Sequence, residues 1–198
     1  MRLSEARKDH FRKLAKREGY PSRSAYKIIE INKKYRLIRS GSVVLDLGSS
    51  PGGWLSVVCN HVGPRGFALG VDIRPSDNLP KNANVAILDV TSDTFEESIL
   101  DLLPRTADVI LSDLSPNITG IWQMDHLKQI DLTKHVIKLF PNILAPEGSA
   151  VLKVFEGEAL KDLVDSIRLD FERVEIAKPL ASRAASSEFY LVCRSYRR

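Results

Sequence analysis

The most unusual residue in the chain is a lysine inside an apolar run, Lys153 in Ala150-Val-Leu-Lys153-Val-Phe155. Removing an ammonium from water costs on the order of several kcal/mol, so such a lysine needs a carboxylate beside it or a use for its amine. An amine held in that way can accept or steer a proton. Glu188 opens the last apolar run and is an available partner. Asp113 stands at the tip of another, in Leu111-Ser-Asp113-Leu-Ser-Pro-Asn117. Asp89 follows a third, where it could accept a hydrogen bond from an adenine amino group. Lys27 lies next to a stripe of Ile28, Ile31 and Tyr35, from which its ammonium could reach a cleft. A structural ion pair at Lys153 and a surface position for Lys27 would use the same residue types.

A second group of residues could hold a ligand. Val43-Val-Leu-Asp-Leu47 reads as a strand buried on both faces, and the composition then turns to Gly-Ser-Ser-Pro-Gly-Gly before Trp54. Leu55, Val58 and Val62 follow at helical spacing, so the segment is strand, tight turn, helix. Glycines at 48, 52 and 53 let a ligand lie against the main chain, under the unpaired amides of the helix. A phosphate-binding loop would need Lys-Ser or Lys-Thr after the last glycine, where Trp54-Leu55 stands. A dinucleotide fingerprint would need glycine at position 50, which is Ser. Phe67-Ala-Leu-Gly-Val-Asp72 ends in an acid about 20 residues beyond the turn, where a carboxylate can grip two ribose hydroxyls. A nucleoside without phosphates over a glycine turn suggests S-adenosylmethionine; the alternative is an ordinary turn with a strand-end acid.

These residues need a sheet to bring them together. Apolar runs at 67–73, 85–88, 109–112, 149–155, 173–177 and 188–194 alternate with helical patterns over 93–103, 122–143 (broken or bent near Pro141) and 157–169. Such alternation predicts a parallel sheet covered on both faces, with ligands past the carboxyl ends of its strands. The last two runs predict an antiparallel hairpin. Upstream, Ser4 to Gly19 reads as a helix with Ser4 as N-cap, and a second helix runs from the Pro21–Lys27 stretch to about Tyr35. One domain with an N-terminal extension is expected, residues 1–40 before a body of 41–198.

Charge sets that extension apart. Residues 1–40 carry thirteen Lys or Arg against four Asp or Glu, a net of +9, and the remainder carries −5. A basic segment on a mildly acidic body is the footprint of a nucleic-acid partner, with a solvated helix face as the plain alternative. Tyr20 could stack on a base or pack locally. Cys59 and Cys193 lie in apolar segments and read as small core residues, and the four histidines have no ligand spacing, so no metal is expected. No run is long enough to cross a bilayer and the N-terminus has no apolar leader core, so a cytoplasmic location is expected.

Arg23-Ser-Ala-Tyr-Lys27, Asp46-Leu-Gly-Ser-Ser-Pro-Gly-Gly-Trp54, Ser112-Asp113-Leu-Ser-Pro-Asn117, Val151-Leu-Lys153-Val-Phe155 and Ser187-Glu188-Phe-Tyr-Leu together resemble the FtsJ-like family of RNA ribose 2′-O-methyltransferases. The nearest likeness is to its large-subunit ribosomal RNA (uridine-2′-O-)-methyltransferase branch, across the whole chain. The resemblance implies a Rossmann-like, seven-stranded class I S-adenosylmethionine-dependent methyltransferase fold, three-layer αβα, with the last strand antiparallel. It implies a catalytic tetrad of Lys27, Asp113, Lys153 and Glu188, and cofactor contacts from Gly52, Trp54, Asp72, Asp89 and Asp113. The partner implied is ribosomal RNA or the large ribosomal subunit, with the protein a monomer. Ser49-Ser50 departs from the two alanines usual in the family.

Other acceptors fit less well. Amino-group methylation of adenine resembles Asn/Asp-Pro-Pro-aromatic, and here Pro116 is followed by Asn117. Methylation at cytosine C5 needs a cysteine at a strand-tip loop, and neither cysteine is in one. Methylation of a tRNA anticodon loop, which shares the tetrad, is the alternative substrate. A non-catalytic RNA-binding protein of ribosome assembly is the alternative class, and a dehydrogenase a distant third.

Overall fold

The computed structural model describes residues 3–77, 79–182 and 187–197. Helix α1 (Leu3–Glu18) starts one residue before Ser4, which therefore lies inside the helix and is not its cap. It stops at Gly19, whose φ of +77° lets the Tyr20 amide bond back to the Ala15 carbonyl at 2.9 Å. Helix α2 (Ala25–Tyr35) follows, then β1 (Val43–Leu47), α3 (Gly53–Val62), β2 (Phe67–Asp72) and β3 (Asn84–Ile87). The second half runs α4 (Phe95–Leu102), β4 (Ala107–Ser112), α5 (Trp122–Ile143), β5 (Leu144–Phe155), α6 (Leu160–Asp170), β6 (Phe171–Ala177) and β7 (Glu188–Tyr196).

The strands form one sheet in the order β3-β2-β1-β4-β5-β7-β6, parallel except that β7 runs antiparallel to both its neighbours. This is the α/β arrangement the resemblance implies. Two cores hold it. Alternate residues of β1, β4 and β5 (Leu45, Ile110, Leu152) pack against α4, α5 and α6. The opposite face (Val44, Val109, Val151, with Tyr190 and Val192 of β7) packs against α2 and α3. Ala25, Ile28 and Ile31 of α2 are buried in this second core together with Trp54, so the packing runs without a break across residue 40.

The helix expected over 122–143, broken or bent near Pro141, spans Trp122–Ile143 without a break, with Pro141 inside it. Strand β5 begins at Leu144 instead of Ser149, because Ala107 pairs with Leu144 and Val109 with Ser149. The residues between bulge out through Glu147, at φ +60°. Both cysteines are buried and free. Among the described residues no helix is long and apolar enough to cross a membrane.

Candidate active site

Antiparallel pairing of β5 with β7 decides which side chains meet. The ladder sets Lys153 opposite Tyr190 and Phe155 opposite Glu188. Side chains two apart on a strand share a face, so Glu188 and Tyr190 point to the same side as Lys153, under α2. Helix α2 adds Lys27, and Asp113 follows the tip of β4, its amide bonded to the Leu47 carbonyl at 3.0 Å. The Lys27 ammonium lies 2.6 Å from Glu188 Oε1 and 3.9 Å from Asp113 Oδ1. The Lys153 ammonium lies 3.3 Å from Asp113 Oδ1 and donates to the Asp113 carbonyl at 2.8 Å. The structure thus brings Lys27, Asp113, Lys153 and Glu188 into one cluster. Glu188, anticipated beside Lys153, makes its short ion pair with Lys27 instead, because the ladder places Tyr190 opposite the lysine.

The Tyr190 hydroxyl occupies the middle of this cluster. It accepts from Lys27 at 2.8 Å and lies 2.9 Å from Asp113 Oδ1 and 3.0 Å from Glu188 Oε1; its one proton serves either carboxylate at a time. Burial first, then the charges of Asp113 and Glu188, push this phenol well above its ordinary pKa, so it stays a neutral donor. Burial alone would raise Glu188, but the charge and hydrogen bond of Lys27, helped by Lys153 and the Tyr190 hydroxyl, hold it below the usual carboxylate range. The ion pairs are shielded: side-chain exposure is 10% at Lys27, 8% at Lys153, 14% at Glu188 and 18% at Asp113. Breaking such a pair by removing one partner costs about 3–5 kcal/mol. The strand beneath is held as well, since the Lys153 carbonyl accepts from Gln129 at 2.9 Å and Thr133 at 3.2 Å, both on α5.

Beside the cluster a cleft of about 770 Å³ opens past the tips of β1 and β4, where the strand order reverses. Its lining includes Gly48, Ser50, Asp72, Ile73, Asp89, Asp113 and Lys153. Asp72 is fixed by backbone donors, Ser50 N–H at 3.0 Å on one oxygen and Arg74 N–H at 2.9 Å on the other, which leaves a lone pair on each for further donors. Asp89 is exposed and accepts from the Thr91 amide and hydroxyl, and these bonds lower its pKa. Gly48 has a φ of +79°, and a Cβ there would meet the Leu114 amide nitrogen at 2.9 Å. The β1 turn can press against the β4 loop only because this residue has no side chain.

The family model of the FtsJ-like methyltransferases matches residues 20–196. The chain belongs to that family. Proteins named ribosomal RNA large subunit methyltransferase E are similar over the full length: one from Cenarchaeum symbiosum is 43% identical, covering 100% of both chains, and one from Nitrosopumilus maritimus is 39% identical, covering 99% of both. A solved structure described as a ribosomal RNA methyltransferase from Plasmodium falciparum superposes with a TM-score of 0.79 at 26% identity, covering 89% of this chain and 98% of that one.

As an FtsJ-like methyltransferase the chain uses S-adenosylmethionine, and the cleft fits it. Asp72 has acceptor capacity for two ribose hydroxyls, Asp89 stands beyond it, and Ile73, 66% exposed, offers an apolar wall for a base. Gly52 and Trp54 are placed differently from Asp72, Asp89 and Asp113. Gly52, at φ +100°, caps the N-terminus of α3, and Trp54 is buried with its indole N–H donating to the Ser24 carbonyl at 2.9 Å. The Trp54 ring packs on Tyr190 at 5.5 Å between centroids, so what Trp54 can offer a ligand is its first-turn backbone amide. The Gly52 amide already donates to the Ser49 carbonyl at 2.6 Å, so this residue can offer only the room of a missing side chain. Tyr20 packs edge-on against Tyr26 at 5.9 Å, which favours its local role. Sequence reasoning missed Tyr190 and the buried acid Asp46. The signal for Tyr190 was its i+2 spacing from Glu188 in a strand.

Proposed function

We propose that this methyltransferase modifies a ribose 2′-hydroxyl of RNA, that of a uridine in large-subunit ribosomal RNA. S-adenosylmethionine supplies a methyl on a cationic sulfur, which departs as a neutral thioether. The chain then has two tasks, alignment and removal of one proton. Alignment by positioned groups is worth effective molarities of about 10⁵ M or more in favourable cases. Lys27, steadied by Glu188 and Tyr190, holds the hydroxyl or an adjacent phosphate. Lys153 accepts or steers the hydroxyl proton, with the Asp113 carboxylate beside it. Asp72 and Asp89 hold the nucleoside, with Trp54 contributing its amide and Gly52 the close approach that a residue without a side chain allows.

One observation carries this reading: two amines and two acids share one buried cluster, Lys27 and both acids on the Tyr190 hydroxyl and Lys153 on Asp113, at the rim of the glycine-turn cleft, a costly arrangement that a passive binding module does not need. The names of the relatives support large-subunit RNA as the substrate. The basic residues 1–40 are the RNA-binding segment, and the protein acts as a cytoplasmic monomer.

The test has two arms. Lys153→Ala keeps its affinity for S-adenosylmethionine and loses turnover by about 10²-fold or more. Turnover close to wild type overturns the role of the amine. Mass-spectrometric mapping of RNA from a deletion strain finds one ribose methyl missing from a uridine of large-subunit RNA. A methyl missing only from transfer RNA overturns the substrate.

A further inference from the structure

Trp122 is the first residue of α5, yet 47% of its surface is open. One ring face is packed on Phe155, with centroids 6.0 Å apart and planes within 28°. Phe155 is two residues beyond Lys153 on β5, about 7 Å along the strand, and is paired with Glu188. The indole therefore stands at the lip of the candidate active site, on the chain that continues from Asp113.

That chain is held rigid. Asp125, 4% exposed, accepts from the Thr119 amide at 2.7 Å, the Thr119 hydroxyl at 2.8 Å and the Gly120 amide at 3.0 Å. These bonds hold its carboxyl below the ordinary pKa, the Thr119 amide contributing most, so the clasp persists at neutral pH. The clasp fixes the turn leading into Trp122 and leaves Ile118 and Ile121 exposed beside it, at 59% and 57%. The protein thus keeps a large apolar group in water while holding it in one orientation.

We propose that Trp122 is a stacking platform for an unpaired nucleobase of the RNA substrate, carried by the methylated nucleotide or its neighbour. The inference rests on the proposed RNA ribose chemistry and adds a positioning residue to it. A hydroxyl delivered to Lys153 brings its own base, or the next, within reach of an aromatic plate about one nucleotide away. Unpaired bases of RNA are held on protein by such faces. Lys128, farther along α5 and lining the cleft, supplies a cation for the attached phosphates.

The chain has two tryptophans, and Trp54 is buried, so a change in indole emission on adding RNA reports Trp122. A transcript of large-subunit ribosomal RNA that the wild type methylates quenches this emission, and Trp122→Phe removes the quench while keeping activity within a few-fold. Trp122→Leu still covers Phe155 but offers no ring; its kcat/KM for RNA falls roughly ten- to a hundredfold, the size of one base stack. Its affinity for S-adenosylmethionine is unchanged. A methylated transcript that leaves the emission unaltered, or a Leu variant as active as wild type, overturns the platform. A wild-type protein that transfers no methyl to RNA overturns the function instead, and quenching by the transcript still decides the stack.

Discussion

Asp46 lies fully buried on the face of β1 that packs against α3, and neither carboxylate oxygen has a hydrogen-bond partner among the described residues. Burial above all, then the charges of Asp113 and Asp72, push its pKa well above the ordinary 3.8. In the unfolded chain it ionises near that ordinary value, so from there upward the native protein binds a proton that the unfolded chain has lost. Its contribution to stability therefore falls as pH rises toward the folded pKa, by up to about 1.4 kcal/mol per pH unit. Asp46→Asn removes the titration and keeps the shape. The variant is expected to be more stable than wild type at pH 8, with the gap closing as pH approaches 4. Urea unfolding at the two pH values measures this, and a constant gap would show that Asp46 is ionised in the native state. This strain was invisible in Val43-Val-Leu-Asp-Leu47, where the acid reads only as an interruption near a strand end. The tetrad was more legible, because an amine on an inner strand and acids at strand ends are anomalous by composition alone. Tyr190 escaped because an aromatic residue in a strand is ordinary, and only the ladder shows its hydroxyl meeting Lys27.

At the scale of elements, the site depends on the approach of two strand tips. The turn after β1 touches the loop after β4 at Gly48, where a side chain would strain the backbone at φ +79° and has no space. Gly48→Ala must relieve both by moving the Leu114 backbone, which is next to Asp113. The expected cost is about 2 kcal/mol in urea unfolding, together with weaker S-adenosylmethionine binding by calorimetry. Unchanged affinity would mean that the two tips are not coupled. The strand–turn–helix and the later alternation were readable because buried strands and amphipathic helices leave different periods in the chain. Less readable were features set by neighbours. Pro141 stays within α5, and the β5 bulge at Glu147 hides five residues of strand behind a Pro-Glu-Gly stretch that looks like a turn. The pairing of Glu188 with Lys27 depends on antiparallel register, which spacing along one strand cannot specify. The body of the fold was thus legible from local pattern, and the partners within the site were not.

Over the whole molecule, charge and packing divide along different lines. The net charge of +4 is the balance of a strongly basic first fifth and an acidic remainder. Helix α2 belongs to the second core and supplies Lys27, so the basic segment is not one physical unit. Helix α1 is separable: it packs through Phe11, Leu14 and Ala15 on Tyr20, Tyr26 and Ala181, with Glu18 accepting from the Tyr26 hydroxyl at 2.7 Å. None of its described residues belongs to either large core. Deleting residues 1–18 should therefore leave the affinity for S-adenosylmethionine within about twofold of wild type, since both cores stay whole. The deletion removes seven Lys or Arg against three Asp or Glu. If those cations neutralise phosphates, RNA binding weakens, and the slope of log affinity against log salt becomes shallower by about 0.7 for each single-strand phosphate that is no longer neutralised. Titrations of large-subunit RNA at several salt concentrations, alongside calorimetry with the cofactor, separate the two effects. Equal loss of both affinities would make α1 a structural part of the domain, and an unchanged salt slope would move the RNA footprint to another surface.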